Sequence, residues 1–197
     1  MTKRLFDLFF TLPGLLLLSP LLLALALWIK LDSPGPVFFR QERIGRFGRP
    51  FHIFKFRTMC IDAERQGQLT VGKDNRVTRA GRFLRKSKLD ELPQLIDVVR
   101  GTMSLVGPRP EVARFVAQYP ADIRDKVLAL RPGITDWASI RLIDENELLG
   151  QASDPERCYV EKILPQKLDY YVQYADQHSV MGDVRIILAT FKKILTR

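Results

Sequence analysis

The feature that most constrains this chain is an apolar run near its N-terminus. No charged side chain occurs from Leu8 to Ile29, and roughly 20 apolar residues make a helix that crosses a bilayer. The breaker cluster Asp32-Ser33-Pro34-Gly35-Pro36 follows and ends the apolar segment. We therefore predict a membrane segment over residues 1–36 and a soluble domain over residues 37–197.

Three arrangements of this segment fit the sequence. A cleaved signal peptide is supported by Lys3, Arg4 and the triplet Ala24-Leu25-Ala26, but the run exceeds the roughly 7–15 residues of a signal-peptide core. A spanning anchor would be oriented by basic flanks, yet both flanks are basic. A re-entrant helix would return to the cytosolic face after a break at Ser19-Pro20. There Pro20 frees the carbonyl of Leu16, and Ser19 can satisfy a freed backbone group. The residues alone leave the last two arrangements open.

Composition narrows the class of partner. Lysine and arginine number 31 against 22 aspartates and glutamates, a net charge of +9, which indicates nucleic acid, anionic lipid or a phosphate-rich substrate. Stacking aromatic residues and a recognisable nucleic-acid module are missing, so we predict no nucleic-acid partner. Cys60 and Cys158 lack the spacing of a zinc site, and a reducing cytosolic setting without disulfides is predicted.

The rest of the chain predicts a mainly helical α/β domain. Short strands are predicted at residues 37–39 and 51–56 around a turn at residues 45–48. The polar residues 61–74 predict a loop or a frayed helix. Apolar residues at helical spacing predict one helix over residues 79–100. A short strand at 103–106 and helices over 111–119 and 121–130 follow.

The C-terminal part is predicted to be helical and to end in an amphipathic segment. Its apolar stripe consists of Val180, Val184, Ile187, Leu188, Phe191 and Leu195. Such a stripe packs on a protein core more often than on a membrane, so we expect core packing.

Basic residues form two clusters that fit either phosphate or anionic lipid. The first contains Arg40, Arg43, Arg46, Arg49, Lys55 and Arg57, and the second contains Arg76, Arg79, Arg82, Arg85, Lys86 and Lys88. The arginines of the second cluster recur every third residue, which keeps them near one face of a helix. The planar fork of arginine suits two phosphate oxygens at once.

Two adjacent acids, Asp90 and Glu91, directly follow the second cluster. Neighbouring residues of a helix point about 100° apart, so the carboxylates are expected to do different jobs. One would contact a metal or a reacting phosphorus, and the other would orient it or take a proton. As a structural alternative, residues 87–90 fit a helix-capping pattern. A third candidate is Arg109, which Pro108 and Pro110 hold with little backbone freedom.

Taken in order, these motifs resemble the bacterial sugar transferase family, the small monotopic phosphoglycosyl transferases that start glycan assembly on undecaprenyl phosphate. The resemblance runs from about Lys3 to Trp137. It rests on Lys3-Arg4 with Phe6-Asp7, Ser19-Pro20, Gly35-Pro36-Val37-Phe38-Phe39 with Gln41 and Arg43, Phe54-Lys55-Phe56-Arg57-Thr58-Met59, Leu84-Arg85, Asp90-Glu91-Leu92-Pro93-Gln94-Leu95, Met103-Ser104-Leu105-Val106-Gly107-Pro108-Arg109-Pro110 and Arg131-Pro132-Gly133-Ile134-Thr135. Several long motifs in one order are more specific than any one of them.

The resemblance implies a fold, a site and partners. It implies a membrane-embedded protein with a re-entrant helix broken at Ser19-Pro20, at the bacterial inner membrane, whose catalytic domain faces the cytosol. Asp90 would be the nucleophile and a ligand of Mg²⁺, with Glu91 as its partner. Phosphate or nucleotide contacts would come from Arg85, Arg109, Lys55 and Arg57. The donor would be a nucleotide sugar, by family likeness a UDP-sugar, and the acceptor a polyprenol phosphate. The oligomeric state stays open, a homodimer included.

The sequence departs from the family pattern after Thr135. Many members continue Gly-Trp-Ala-Gln-Val-Asn-Gly-Arg, whereas this chain has Asp136-Trp137-Ala138-Ser139-Ile140-Arg141-Leu142-Ile143. Asp136 and Ser139 are expected near the sugar or the nucleotide, which leaves the identity of the donor open.

Two rival functions compete with the transferase. One is a non-enzymatic, membrane-anchored basic protein that binds anionic lipid or nucleic acid. The other is a glycosyltransferase acting at the anomeric carbon, which would release a nucleoside diphosphate instead of a monophosphate.

Overall fold

A computed structural model describes residues 2–61, 63 and 74–196. The loop or frayed helix predicted at residues 61–74 therefore lies mostly outside the described residues. In chain order the elements are α1 Thr2–Asp32, β1 Phe38–Ile44, β2 Pro50–Phe56, α2 Arg79–Ser87, α3 Gln94–Arg100, β3 Ser104–Val106, α4 Ala113–Val116, α5 Ala121–Leu128, β4 Gly133–Thr135, α6 Trp137–Arg141, α7 Glu145–Gln151, α8 Pro155–Cys158, α9 Leu164–Gln177 and α10 Val180–Leu195. The prediction of a mainly helical domain with short strands is confirmed.

The apolar run forms the long helix α1. By length and composition α1 is able to cross a membrane. Helical structure continues through Ser19-Pro20, so the predicted break is not a gap in the helix. The hydroxyl of Ser19 donates to the carbonyl of Leu16 over 2.7 Å, which is the acceptor that Pro20 cannot serve because it has no N–H. Ser19 thus makes proline tolerable inside an apolar helix.

The N-terminal end of α1 is bound to the globular domain. The guanidinium of Arg4 donates to the carbonyls of Val98 and Val99, near the C-terminus of α3, where a cation also meets the negative end of the helix dipole. Lys3 pairs with Asp183 of α10 at 2.5 Å. Lys3 and Arg4, which we expected to flank the membrane segment, thus contact protein as well.

The C-terminal end of α1 is bound to the same domain. Leu25 and Ile29 pack on Phe56, Ala80 and Leu84 in one apolar cluster. The buried residues of α1 are Asp7, Thr11, Leu25 and Ile29, so the buried contacts lie towards its two ends. The middle of α1 presents large apolar side chains such as Leu17, which is 81% exposed.

Two small sheets support the rest of the domain. β1 and β2 form an antiparallel hairpin in which Phe38 faces Phe56 and Ile44 faces Pro50, as predicted around the turn at residues 45–48. β3 and β4 form a parallel pair with Val106 opposite Thr135. At its edge Gly133 approaches Gly107 so closely that a Cβ on Gly133 would lie 2.1 Å from the Gly107 nitrogen. Both positions therefore require glycine.

The single helix predicted over residues 79–100 is wrong. α2 ends at Ser87, and Lys88 adopts a left-handed conformation with φ 58°. A 3₁₀ turn over Leu89–Glu91 then leads towards α3. The capping interpretation is also wrong, because the Ser87 hydroxyl donates back to the carbonyl of Phe83 over 2.8 Å.

The C-terminal stripe is divided between core and surface. Val184 and Ile187 of α10 are half-buried, beside the fully buried Ile186. In contrast Leu188, Phe191 and Leu195 are 63%, 61% and 84% exposed. Core packing was therefore the wrong expectation for the C-terminal half of α10.

Candidate active site

Two cations and two acids from distant parts of the chain form one cluster. The ammonium of Lys55, on β2, lies 2.9 Å from Asp90 Oδ2 and 3.3 Å from Glu91 Oε1. Arg109 follows β3 and donates through Nη1 to Glu91 Oε2 over 3.0 Å, and through Nη2 to Glu91 Oε1. Of the six predicted catalytic and substrate-binding residues, the structure brings together Asp90, Glu91, Lys55 and Arg109.

The break after α2 sets the orientation of the two acids. Because Lys88 leaves the helical conformation, Asp90 and Glu91 lie on the 3₁₀ turn that links α2 to α3. Asp90 points inwards and is 2% exposed. Their partners differ: Glu91 has the arginine, while Lys55 contacts both acids. The two carboxylates therefore have different surroundings, and their separate roles stay a prediction.

Asp90 has one oxygen without a hydrogen-bond donor. Among the described residues its Oδ1 is buried and unpartnered, although a buried acceptor without a partner costs about 1–3 kcal/mol. A buried group left unsatisfied in this way calls for an explanation, and a catalytic role or a bound ion is one.

The two cations of the cluster lie closer to solvent than the two acids. The side chains of Lys55 and Arg109 are 23% and 30% exposed, against 3% for Asp90 and 12% for Glu91. A phosphate arriving from solvent meets the cations first and the carboxylates behind them. The small cavity lined by Arg109 measures about 20 Å³, which is enough for one water and too small for a diphosphate.

Charge inside the cluster keeps Glu91 and Arg109 ionised. Burial raises the pKa of Glu91, but attraction to Arg109 and Lys55 outweighs burial and holds this pKa well below its usual range. In turn, attraction to Glu91 raises the pKa of Arg109 far above its usual value. Glu91 is therefore a permanent anion at neutral pH, which suits it to orienting cations better than to carrying a proton.

Lys88, which belongs to the second basic cluster but was not among the predicted site residues, is near enough to the acids to feel their charges. Burial lowers its pKa, opposed by attraction to Glu91, and the charges of Arg109 and Lys55 lower it further. Lys88 thus lies within electrostatic reach of the cluster. Its position two residues before Asp90 could have indicated a place near the site. However, a lysine at the end of a basic run is usually interpreted as a solvated residue.

Arg85 and Arg57 do not join the cluster. Within the described part of the chain, neither hydrogen bond nor ion pair links Arg85 to the acids; its charge acts on Asp74, whose pKa is lowered chiefly by the hydrogen bond from Arg76. Arg57 is 5% exposed. Its guanidinium donates to Pro36 and Ser33 carbonyls over 2.6 and 2.8 Å and to the Ser33 hydroxyl over 2.7 Å. Its contacts fasten the segment after α1.

The segment that carries Arg109 is fixed by hydrogen bonds as well as by prolines. The carbonyl of Pro108 accepts from Gly133 N over 2.9 Å, and the carbonyl of Pro110 accepts from Arg43 over 3.1 Å. The next residue, Glu111, accepts from the Tyr159 hydroxyl over 2.6 Å. Burial raises the pKa of Glu111, but the charges of Lys167 and Arg43 lower it further than burial raises it.

The departure from the family pattern lies beside this segment. The parallel pairing of β3 and β4 brings the residues after Val106 and after Thr135 to the same edge. Asp136 caps α6, accepting from Ser139 N over 2.9 Å and from the Ser139 hydroxyl over 2.7 Å. Burial raises the pKa of Asp136, while these hydrogen bonds and the charge of Arg109 oppose the rise.

The donor set fits Mg²⁺ in one specific way. No group of three or more His, Cys, Asp or Glu side chains able to hold a metal occurs among the residues that the structure describes. Magnesium, however, commonly takes one or two carboxylates and completes its shell with water and substrate phosphate oxygens. The unpartnered Oδ1 of Asp90 supplies a ligand of this kind.

Comparison with known proteins shows which family and which proteins this chain is similar to. Residues 1–197 match the family described as "Bacterial sugar transferase". The chain is 40% identical over 197 residues to a UDP-N-acetylgalactosamine-undecaprenyl-phosphate N-acetylgalactosaminephosphotransferase of Aeromonas hydrophila, covering 98% of this chain and 44% of the relative. It is also 40% identical to a UDP-glucose:undecaprenyl-phosphate glucose-1-phosphate transferase of Xanthomonas campestris pv. campestris, covering 98% of this chain and 38% of the relative.

The relatives differ in length. This chain spans less than half of the Aeromonas and Xanthomonas proteins. In contrast, the "Exopolysaccharide production protein PSS" of Rhizobium leguminosarum bv. phaseoli is 39% identical over 202 residues, which cover 99% of this chain and 96% of that protein.

Proposed function

The chain belongs to the bacterial sugar transferase family, and on that premise we propose that it transfers a sugar 1-phosphate from a UDP-sugar to polyprenol phosphate. The donor and acceptor classes are those in the names of its Aeromonas and Xanthomonas relatives. The observation that carries the proposal is the free oxygen of Asp90, buried beneath Lys55 beside an acid held by Arg109.

The first step is a displacement at phosphorus. The carboxylate of Asp90 attacks the phosphorus that carries the sugar, and the bond from that phosphorus to the bridging oxygen breaks. UMP leaves with the bonding electrons, and the sugar phosphate remains on Asp90 as an acyl phosphate. An anionic nucleophile meets an anionic diphosphate here, so Lys55 and Arg109 have to offset the charge of the phosphates.

The second step frees the enzyme. A phosphate oxygen of the polyprenol phosphate attacks the same phosphorus and the bond to Asp90 breaks. The products are a polyprenyl diphosphosugar and an ionised Asp90. Both attacking groups are already anionic, so neither step needs a base. Glu91 accordingly acts by holding Arg109 and Lys55 in place.

Asp90 would hold Mg²⁺ together with water and the phosphates of the donor. The ion supplies positive charge to phosphate oxygens during displacement. The requirement for Mg²⁺ is part of the proposal.

The contacts of α1 favour a re-entrant arrangement. Arg4 binds Val98, whereas Leu25 packs in the same cluster as Leu89. A straight helix would separate residues 4 and 25 by about 32 Å. Their partners Val98 and Leu89 are only nine residues apart in mostly helical chain, which spans roughly 15 Å. The two ends of α1 therefore contact points that lie closer together than a straight helix would allow. Both ends docked on one domain support a helix that bends at Ser19-Pro20 and enters the bacterial inner membrane from the cytosolic side.

The exposed end of α10 supports a second membrane contact. Leu188, Phe191 and Leu195 are exposed, and Lys192 and Lys193 lie between them. This is the pattern of a helix that lies in the headgroup region. Lys3 joins α10 to the N-terminus of α1 through Asp183, so both helices face the same bilayer.

The decisive experiment measures nucleotide release and a covalent adduct. The protein, a UDP-sugar, polyprenol phosphate and Mg²⁺ are mixed, and UMP, UDP and protein mass are followed. We expect UMP, and a sugar-phosphate adduct on Asp90 when the acceptor is omitted. Asp90→Asn should abolish both, whereas Asp122→Asn, an exposed acid, should change neither.

Each rival predicts another result. A glycosyltransferase acting at the anomeric carbon accumulates UDP. A basic lipid- or nucleic-acid-binding protein releases no nucleotide, loses binding smoothly as salt rises and does not depend on Asp90. Turnover by Asp90→Asn without an adduct on the wild-type protein would refute the covalent mechanism.

A further inference from the structure

The ammonium of Lys55 lies where two carboxylates converge. It is 2.9 Å from Asp90 and 3.3 Å from Glu91, and so bridges the acids as a bound cation would. The mechanism needs Lys55 for phosphate and needs Asp90 for Mg²⁺. Lys55 lies on Oδ2 of Asp90, while Oδ1 of the same carboxylate is unpartnered. A divalent cation bound at Oδ1 would therefore lie close to the ammonium and be repelled by it.

We infer that Lys55 holds the place of the divalent cation before substrate binds, so that the metal enters only together with the donor diphosphate. This rests on the proposed function, because a diphosphate donor is part of it. Movement of the Lys55 side chain would then form the metal site and the phosphate site at the same time.

Charge balance explains why the metal would bind only together with the donor diphosphate. The acids of the cluster are matched by Lys55 and Arg109, and Lys88 adds a further positive charge within reach. A divalent cation entering alone would add two positive charges to a partly buried, already cationic site, which is unfavourable. A diphosphate brings compensating negative charge and gives the displaced ammonium a new partner.

Lys55 is the member of the cluster able to move. Its side chain is a flexible stem with a point charge and is 23% exposed. Arg109 is held differently, because it grips both oxygens of Glu91, and its flanking segment is bound to Gly133 and Arg43. We therefore assign the movement to Lys55 and a fixed position to Arg109.

The test measures metal binding directly. The protein in lipid nanodiscs is dialysed to equilibrium against Mn²⁺, with and without UDP. Free Mn²⁺ and Mn²⁺–UDP equalise across the dialysis membrane, so the excess manganese is bound to protein. We expect weak binding to the wild type without UDP and an increase of roughly tenfold or more with UDP, since a displaced close charge pair is worth at least that factor.

Variants at Lys55 test whether its positive charge is what weakens metal binding. Lys55→Met should bind Mn²⁺ roughly tenfold more tightly than the wild type without UDP, because the competing ammonium is gone. Its gain on adding UDP should shrink correspondingly. Lys55→Arg, which keeps the charge, should exclude the metal as the wild type does. Lys162→Met removes an exposed lysine and should change nothing.

Two results would overturn the inference. One is wild-type affinity for Mn²⁺ that is the same with and without UDP, a measurement that needs no variant to fold. The other is folded Lys55→Met that binds Mn²⁺ no more tightly than the wild type. If UMP release is observed alongside either result, the proposed function stands and only this inference fails. If no UMP is released from any UDP-sugar, the proposed function itself fails.

Discussion

At the scale of single residues, Asp90 differs from the other buried acids in its surroundings. Asp7 accepts from Ser104 and from the Leu105 backbone, and Asp97 accepts from the Phe54 backbone over 2.7 Å. Both acids accept from neutral donors, and Lys3 also lies 3.9 Å from Asp7. Asp90, in contrast, has one ammonium, that of Lys55, close to one oxygen and an unpartnered second oxygen. A structural acid has its donors, whereas a reacting acid has to keep one oxygen free.

Arg57 should act on stability more than on catalysis. Its guanidinium is buried and bound to carbonyls near the end of α1. We expect Arg57→Met to lose about 2–4 kcal/mol of unfolding free energy, because several charge-assisted hydrogen bonds are removed and their acceptors are left buried. Thermal unfolding in detergent measures this. Arg82→Met, at an exposed position of α2, is the control, and an unchanged melting temperature with a raised donor KM would contradict the assignment.

Glu111 should stabilise the protein in a pH-dependent way. Its pKa is depressed by Lys167 and Arg43 in spite of burial, so its contribution is complete above the unfolded pKa and is lost as the pH falls through the folded one. We expect Glu111→Gln to cost about 3 kcal/mol at pH 7, and the difference from wild type to narrow below about pH 4.

Unfolding of both proteins across this pH range tests the prediction. The matched control is Glu156→Gln, which removes a surface partner of Arg114 and should cost under about 1 kcal/mol at any pH. A Glu111→Gln deficit that is independent of pH would show that packing, and not charge, is what Glu111 contributes.

At the scale of elements, α6 depends on a pair of residues that departs from the family pattern. Asp136 accepts from both the backbone and the hydroxyl of Ser139. We expect Asp136→Ala to cost about 1 kcal/mol as a lost N-cap. The double variant with Ser139→Ala should cost less than the sum of the single variants, since the hydroxyl contact can be lost only once.

A double-mutant cycle of unfolding free energies measures that coupling. Asp154 is a suitable comparison because it caps α8 through Arg157 N over 3.0 Å but is exposed. Asp154→Ala should lose stability without altering the donor KM. Strict additivity of the Asp136 and Ser139 substitutions would show that the two residues act separately.

Elements were predictable where the deciding signal is local. The β1–β2 hairpin follows from alternating residues around a glycine-containing turn, and α1 follows from its apolar length. The break after α2 was not predictable, because a left-handed Lys88 leaves no mark in residue type and the apolar spacing continues across it. Likewise, residue type shows that Arg57 seeks oxygen atoms but not whether they belong to phosphate or to backbone carbonyls. Only the fold decides that.

At the scale of the whole molecule, the elements that carry the candidate site are also the ones that pack on the apolar helix α1. β3 lies between the buried Asp7 of α1, which binds Ser104, and the segment that carries Arg109. α2, which packs on the end of α1, ends at the turn that aims Asp90. The apolar helix α1 is thus bound directly to both sides of the carboxylate cluster. In the proposed membrane arrangement these contacts would hold the cluster close to the bilayer surface, within reach of the headgroup of the proposed acceptor.

The topology of α1 is testable by cysteine accessibility. In a background with Cys60 and Cys158 replaced by serine, single cysteines at Thr2 and Glu42, both exposed, are probed with a membrane-impermeant maleimide. We expect neither to react in intact spheroplasts and both to react after permeabilisation, because the two ends of α1 bind one domain. A third cysteine at Leu17, 81% exposed in the structure, should react slowly under both conditions, since lipid covers it. Labelling of Thr2→Cys in intact spheroplasts with Glu42→Cys protected would mean that α1 spans the membrane. The contacts of Arg4 with α3 could not then exist in the cell.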